Sequence, residues 1–141
     1  MYINTGKRSG KEVLQENMRR LKVPGAYRHF KGGLYATMGI SVPVAPDEEK
    51  FYYEEKLCPF EMVKHTEDNI YINVCYDKEK DRYIHRCNAS KDILVIYRPL
   101  YFSDGAVITD IYARPLEIFL SEVDREKHPD IDQKFRFEEV D

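Results

Sequence analysis

Hydrophobic and polar residues alternate along much of the chain, and this period of two is typical of half-buried β-strands. The clearest alternation covers residues 70–76, and an all-charged turn at 77–82 joins it to a partner strand at 83–87. Residues 92–100 hold the most apolar run, which predicts a central strand buried on both faces, with its pairing ending at Pro99. Further strands are predicted at 27–30, 34–42, 106–113 and 135–137.

A different pattern near the N-terminus predicts a helix over residues 11–21. Its apolar residues recur at spacings of three and four and form one stripe, which consists of Val13, Leu14, Met18 and Leu21. About three turns of helix are marginal alone in water, so we expect the stripe to pack on the domain or on a second copy of the chain. Pro115 predicts a second, short helical turn, whereas Pro43, Pro46 and residues 47–49 predict a loop.

Two glycine positions predict how the early strands are shaped. Lys31-Gly32-Gly33 is expected to form a turn, because glycine accepts the positive φ angles that tight turns require. Gly39, inside the next strand, is expected to mark a bulge or a bend. Five or more strands with almost no helix therefore predict a mainly β protein, a small barrel or roll.

The composition narrows the class of protein further. Hydrophobic residues make up 43% and charged residues 33% of the 141 residues, which suits a globular domain. Aromatic residues make up 13%, carried by Tyr and Phe without any Trp, and favour strands over a helical bundle. We expect no membrane span and no secretion signal, since no apolar stretch of the required length occurs. Three cysteines without a CxxC pair predict a protein of the reducing cytoplasm.

Four blocks of sequence occur in an order that matches a known family. They are Tyr27-Arg28-His29-Phe30-Lys31-Gly32 with Leu34-Tyr35, residues 94–97 with Leu100-Tyr101, residues 111–120, and Phe135-Arg136-Phe137. Together they resemble the small bacterial family catalogued as domain of unknown function 1653, over residues 27–42 and 92–140. The resemblance implies an SH3-like β-barrel and brings no established activity.

The resemblance also implies how the chain is divided into segments. Residues 1–22 are interpreted as an N-terminal amphipathic helical segment, and residues 23–141 as one SH3-like barrel domain with a β-hairpin inserted at about 45–91. The family usually carries a His-Ser/Thr-Glu motif in a short segment between its first two blocks. Here that gap is far longer, and His65-Thr66-Glu67 is the candidate for the displaced motif.

The first block is a candidate ligand site as well as a strand. Arg28, Lys31 and the amides of the glycine turn suit a phosphate or another anion. The structural alternative places Tyr27 and His29 on one strand face and gives Arg28 an acidic partner such as Glu117. The complete set of predicted ligand-binding residues is Tyr27, Arg28, His29, Lys31, Tyr101, Tyr112 and Arg114.

Arg114 and the tyrosines have alternative roles. Arg114, fixed before Pro115, is expected either to reach a ligand or to tie the turn to Glu117. Clustered tyrosines either form a surface cage or pack a core with the hydroxyl at the rim. The core role is favoured for Tyr35 and Tyr97, and both roles stay open for Tyr101 and Tyr112.

No metal, cofactor or catalytic residue is predicted. His85 and Cys87 share a strand face, but the favoured hairpin register pairs Tyr76 with Tyr83 and turns Cys75 to the opposite face. Structural zinc sites usually show two close ligand pairs, and this sequence has one. Known catalytic motifs such as GxSxG and HExxH are absent from the sequence.

The N-terminal part of the chain is basic, although the net charge of the whole chain is -3. Residues 1–35 hold eight Lys and Arg against two Glu, a net charge of +6, which leaves -9 for residues 36–141. One hypothesis is therefore a nucleic-acid-binding module that uses exposed tyrosines and Lys7, Arg8, Arg19 and Arg20.

The favoured prediction is a non-catalytic binding or accessory module for a small ligand, an anion or a protein partner. Besides the nucleic-acid module, the alternatives are a small-metabolite enzyme and a self-associating protein that uses the Leu14–Met18–Leu21 stripe. The sequence leaves the partner and the oligomeric state open.

Overall fold

The computed structural model describes residues 2–3, 20–55, 60–100, 102–103, 106–107 and 110–140. The strands in this part of the chain are β1 (Tyr2–Ile3), β2 (Leu21–Lys22), β3 (Gly25–His29), β4 (Leu34–Val44), β5 (Phe60–His65), β6 (Ile70–Asp77), β7 (Arg82–Arg86), β8 (Leu94–Pro99), β9 (Phe102–Ser103), β10 (Ala106–Val107), β11 (Tyr112–Pro115) and β12 (Phe137–Glu139). The helices are α1 (Pro46–Lys50), one π-helical turn (Phe51–Glu55) and α2 (Leu116–Phe119).

Six strands close into a barrel in the order β4-β7-β6-β5-β11-β8, with β8 pairing back onto β4. The β4–β7 and β5–β11 pairs are parallel, and the other pairs are antiparallel. Strands β3 and β12 extend the sheet from the first half of β4. The predicted mainly β barrel is confirmed, while its SH3-like type stays a prediction.

Strand β4 is long enough to serve both the barrel and its extension. Its first residues pair with β3, and its last residues, Ser41–Val44, pair with β7. The register with β8 shifts between Thr37 and Gly39, so Met38 is bulged. The absence of a side chain at Gly39 also leaves room for the Tyr83 ring, since a Cβ there would lie 3.2 Å from that ring. The bulge predicted at Gly39 is confirmed.

The segment at 45–91 is part of the barrel wall, because it contributes β5, β6 and β7. The β6–β7 hairpin has the predicted register, with Tyr76 opposite Tyr83 and Cys75 opposite Ile84. Cys75 packs outside the barrel with Val44, Tyr52 and Ile84. His85 lies opposite Val74, on the other face of the hairpin.

The largest core cluster lies where the β3–β12 extension folds over the barrel. It consists of Leu21, Tyr27, Val95, Tyr97, Leu116, Phe119 and Phe137. The Phe119 and Phe137 rings are stacked with centroids 4.1 Å apart, and Tyr27 meets Phe119 edge-on at 5.3 Å. A second cluster of aliphatic residues fills the barrel, namely Val63, Ile72, Val74, Leu94, Ile96 and Ala113.

Some local predictions were wrong. The loop predicted from Pro43, Pro46 and residues 47–49 is instead the end of β4 followed by α1. Pro46 is favourable in the first turn of a helix, and the acidic side chains of residues 47–49 interact favourably with the positive end of the helix dipole. Strand β5 was missed. Leu21, the last residue of the predicted N-terminal helix, is buried in β2 and pairs with Ile3, and residues 11–19 lie outside the described residues.

Other predicted boundaries moved by a few residues. The strand predicted at 106–113 is observed as β10 and β11, with residues 108–109 outside the described residues. The closing strand starts at Phe137, while Phe135 forms an isolated bridge with Glu122. The short helix after Pro115 is confirmed as α2. None of the helices in the described ranges is long and apolar enough to cross a membrane.

The turn between β3 and β4 depends on Gly32, whose φ is 105°. Gly32→Ala is expected to lower the free energy of unfolding by about 1–2 kcal/mol, since L-residues rarely adopt this conformation. No atom lies within 4 Å of the position that the new Cβ would take, so the cost is one of backbone strain alone. Urea denaturation measures it, and Lys31→Ala in the same turn is the control, with an expected change within about 0.5 kcal/mol. Equal values for the two variants would contradict the strain argument.

Candidate functional site

A cavity of about 340 Å³ opens where the β3–β4 turn faces the ends of β8 and β11. Its lining residues come from distant parts of the chain, namely His29, Lys31, Gly33, Tyr35, Thr66, Tyr97, Tyr112, Arg114 and Phe137. We call this space the aromatic lobe. Its volume is at the lower end of the range of roughly 300–1,000 Å³ that small-molecule sites occupy.

Aromatic rings in mutual contact form the floor of the aromatic lobe. Tyr97 and Phe137 are almost completely buried, and their centroids lie 5.5 Å apart. Tyr35 meets Tyr97 edge-on at 5.5 Å, and His29 meets Phe137 at 4.8 Å. Tyr112 is half-buried and lies 5.7 Å from Tyr97. Tyr97 therefore has the predicted core role and also lines the cavity.

Arg114 is held against this floor by three contacts. Its Nε donates to the Tyr97 hydroxyl at 3.1 Å, and its guanidinium carbon lies 5.5 Å from the Phe137 ring centre. Its Nη1 is 4.0 Å from Glu67 Oε2, and 14% of the side chain is exposed. The sequence predicted Glu117 as the local partner of Arg114. Glu67 takes this place because β5, which ends just before Thr66, runs parallel beside β11.

A second cavity of about 270 Å³ adjoins the first and shares His29, Lys31 and Arg114 with it. We call it the basic lobe, and its further lining residues are Phe30, Asp124, Lys127, His128 and Arg136. Arg136 lies 5.9 Å and Lys31 5.7 Å from the Phe30 ring centre. Neither cation forms an ion pair within the part of the chain that the structure describes.

The electrostatics of both lobes reflect crowded positive charge. Burial, followed by the charges of Arg114, Arg136 and Lys31, lowers the pKa of His29 to about 4. The Lys31 amide donates to His29 Nδ1 at 3.1 Å, so in neutral His29 the proton resides on Nε2. Burial and the neighbouring Arg114 lower the pKa of Arg136. An anion at this position would relieve the repulsion between these groups.

Residues 81–139 match the model of a family described as protein of unknown function (DUF1653). The match covers 59 of the 141 residues and shows that this region, which we call the DUF1653 region, is similar to that family. The match contains three of the four blocks of the resemblance, which is thereby confirmed for residues 92–139, while the block at 27–32 precedes it. No curated protein and no solved structure matches the chain.

The DUF1653 region supplies one wall of the site, and the β3–β4 segment supplies the other. The DUF1653 region contributes four residues to the aromatic lobe, namely Tyr97, Tyr112, Arg114 and Phe137. It also contributes four residues that line only the basic lobe, namely Asp124, Lys127, His128 and Arg136. The cavity is therefore assembled between the family region and the part of the chain that precedes it.

The structure brings four of the predicted ligand-binding residues together: His29, Lys31, Tyr112 and Arg114. Tyr27 lies in the core instead, where its hydroxyl accepts the Lys22 amide at 3.0 Å. Arg28 is exposed on the opposite face of β3, as the alternation of the strand requires. Tyr101 lies outside the described residues.

Two further predictions concern the amides of the glycine turn and the basic residues near the N-terminus. The Gly32 amide, predicted as a free donor, closes the turn by donating to the His29 carbonyl at 2.7 Å. Gly33 lines the aromatic lobe. Of the predicted nucleic-acid residues, Arg20 is exposed, whereas Lys7, Arg8 and Arg19 lie outside the described residues.

Sequence reasoning left Thr66, Arg136 and Phe137 out of the site. The signal for Thr66 was the His65-Thr66-Glu67 motif, which the structure brings beside β11 through the Thr66 amide and the Ala113 carbonyl, 3.0 Å apart. Arg136 and Phe137 belonged to the closing block, whose short length gave no sign of a role. A metal-binding group of three or more His, Cys, Asp or Glu side chains is not found among the described residues.

Proposed function

We propose that this protein is a binding module for a small anionic ligand and that the two adjoining lobes are its site. The observation that carries this proposal is the concentration of Lys31, Arg114 and Arg136 at one concave surface, where the described residues provide too few carboxylates to match them. A partly buried cation is costly unless an opposite charge accompanies it. A bound anion would supply that charge.

The orientation of Arg114 supports the same proposal. Its Nε donates to the Tyr97 hydroxyl and its guanidinium carbon lies 5.5 Å from the Phe137 ring centre, and these contacts hold the side chain in place. The two terminal nitrogens remain for a ligand, and the 4.0 Å contact with Glu67 is long for an ion pair. A guanidinium positioned in this way suits bidentate contact with a phosphate or carboxylate.

Several finer predictions accompany this proposal. We propose that residues 23–141 form one SH3-like domain, since strands from 21–22 to 137–139 share one core cluster. We also propose a cytoplasmic location, since the three cysteines of the sequence include no CxxC pair.

Titration calorimetry with inorganic phosphate tests the proposed site. Arg114→Gln is expected to weaken phosphate binding roughly tenfold, because it removes charge-assisted hydrogen bonds. Arg28→Gln is the matched control, because it makes the same change of charge on the face of β3 that is turned away from the cavity. The affinity of this variant for phosphate should stay within about twofold of that of the unaltered protein. Thermal melting of both variants verifies that they fold. Equal losses in the two variants would refute the proposal, and so would a failure of both inorganic phosphate and phosphate esters to bind to the unaltered protein.

A further inference from the structure

The two lobes of the cavity differ in chemistry but share an edge. We infer that the ligand is a phosphate group joined to a flat aromatic ring, a nucleoside monophosphate or a compound of that shape, with its ring in the aromatic lobe and its phosphate in the basic lobe. This inference rests on the proposed function and specifies its ligand. The shared residues His29, Lys31 and Arg114 lie between the lobes, so one molecule can occupy both.

The basic lobe has the donors that a phosphate dianion requires. Cationic groups approach it from three segments: Lys31 in the β3–β4 turn, Arg114 on β11, and Arg136 just before β12. Lys127 and His128 add to the same wall. A phosphate offers three oxygens to such groups, whereas a carboxylate offers two and one unit of charge.

The acid that lines the basic lobe, Asp124, is already engaged. Asp124 Oδ1 accepts the Glu126 amide at 3.0 Å and the Lys127 amide at 3.4 Å, which fixes the loop that carries Lys127 and His128. The charge of Asp124 offsets part of the charge of Arg136, but four Lys and Arg side chains line the lobe beside this one carboxylate.

The aromatic lobe suits a flat ring. Four aromatic side chains besides His29 line it: the buried Tyr97 and Phe137, and the half-buried Tyr35 and Tyr112. A Cβ added to Gly33 would lie 3.0 Å from the Tyr35 ring, so the absence of a side chain there keeps that edge of the lobe open. Stacking of a base on an aromatic side chain raises the affinity by about tenfold or more, enough to distinguish a ring-bearing phosphate from a plain one.

Charge favours a small molecule over a nucleic-acid strand. Residues 36–141, which include most of the barrel, carry a net charge of -9. The cations of the described site are gathered in one lobe instead of following a track across the surface. A strand that extended beyond the lobe would meet a surface of like charge.

Calorimetric titration of the full chain with five probes tests this inference: inorganic phosphate, ribose 5-phosphate, adenosine, adenosine 5′-monophosphate and a single-stranded octanucleotide. We expect adenosine 5′-monophosphate to bind at least tenfold more tightly than ribose 5-phosphate. Tyr112→Leu should abolish most of that advantage while leaving the ribose 5-phosphate affinity within twofold. Tyr71→Leu is the matched control, a tyrosine that is 53% exposed on β6, and should change neither affinity.

The outcomes separate the inference from the proposed function. Equal affinity for adenosine 5′-monophosphate and ribose 5-phosphate would overturn the role of the ring but keep the anion site. Failure of every phosphate probe to bind would overturn both. Tighter binding of the octanucleotide than of the mononucleotide, with a steep dependence on salt, would overturn the assignment of a small-molecule ligand.

Discussion

Replacing Phe137 with alanine is expected to lower the free energy of unfolding by about 3–5 kcal/mol, among the largest effects of any single substitution in the chain. The ring is 1% exposed, stacks on Phe119 at 4.1 Å and meets Tyr97 at 5.5 Å. Its removal would leave a void at the junction of β12 with the barrel, where these rings cannot close in without breaking their mutual contacts. Denaturation with urea or guanidinium chloride measures the change.

Phe51→Ala provides the matched control for this substitution. Phe51 is 49% exposed, so the same change of side chain there should cost less than about 1 kcal/mol. Phe137→Leu, which keeps most of the apolar volume, should lie between the two. A Phe137→Ala variant as stable as the Phe51→Ala variant would show that β12 does not anchor the core.

Acidification is expected to destabilise the fold by about 2 kcal/mol between pH 7 and pH 5 through His85 alone. His85 is completely buried, and burial lowers its pKa from 6.5 to about 4. The unfolded chain therefore binds a proton more readily than the folded chain in this range. The stability from neutral His85 is fully present above pH 6.5 and is lost as the pH falls toward 4. His29, whose pKa is also lowered to about 4, acts in the same direction.

The hydrogen bonds of His85 explain why its neutral form is required. Its Nε2 donates to the Ser90 carbonyl at 3.0 Å, so its Nδ1 is the acceptor for the Ser41 hydroxyl at 2.7 Å. Protonation would turn Nδ1 into a donor and force the buried Ser41 hydroxyl to reverse its role. A charge would also be placed in the barrel wall without an ion-pair partner among the described residues.

Urea denaturation at pH 7 and pH 5 isolates this contribution. His85→Asn keeps an acceptor for Ser41 and should lose about 2 kcal/mol less than the unaltered protein between the two pH values. His128→Asn, at the rim of the basic lobe, is the control and should keep the full loss. The same pH dependence in all three proteins would assign the loss of stability to other groups.

Strands with clear alternation could be predicted because one face of each is buried. The register of the β6–β7 hairpin followed from requiring Ile70, Ile72, Val74 and Tyr76 to be buried with Tyr83. The structure confirms the pairing of Tyr76 with Tyr83, although Ile70 is exposed. Strand β5 was missed because Glu61 and Met62 are both exposed, which interrupts the alternation over only six residues. Helix α1 carries no buried residue and so has no apolar pattern to detect.

The site could be predicted where charged residues and glycines lie close together in the sequence. It could not be predicted where the pairing of strands brings distant residues together. The β3–β4 turn and Arg114 were recognisable from charge and glycine content. Thr66 and Glu67 reach Arg114 only through the parallel β5–β11 pair, and sequence periodicity does not reveal which strands lie side by side. Tyr27 and Arg28 were included because neighbours in sequence were expected to share a site. The pleat of β3 turns Arg28 away from the cavity, whereas Tyr27 is buried in the core cluster.

The walls of the cavity are drawn from both ends of the described chain, with His29 on β3, Arg114 on β11 and Phe137 on β12. Contacts between segments so far apart in sequence form late in folding, because the entropy of closing long loops must first be overcome. A molecule held across them would stabilise the native state more than the transition state that precedes it. Occupancy of this cavity should therefore slow unfolding and prolong the lifetime of the folded chain, while the rate of folding stays almost unchanged.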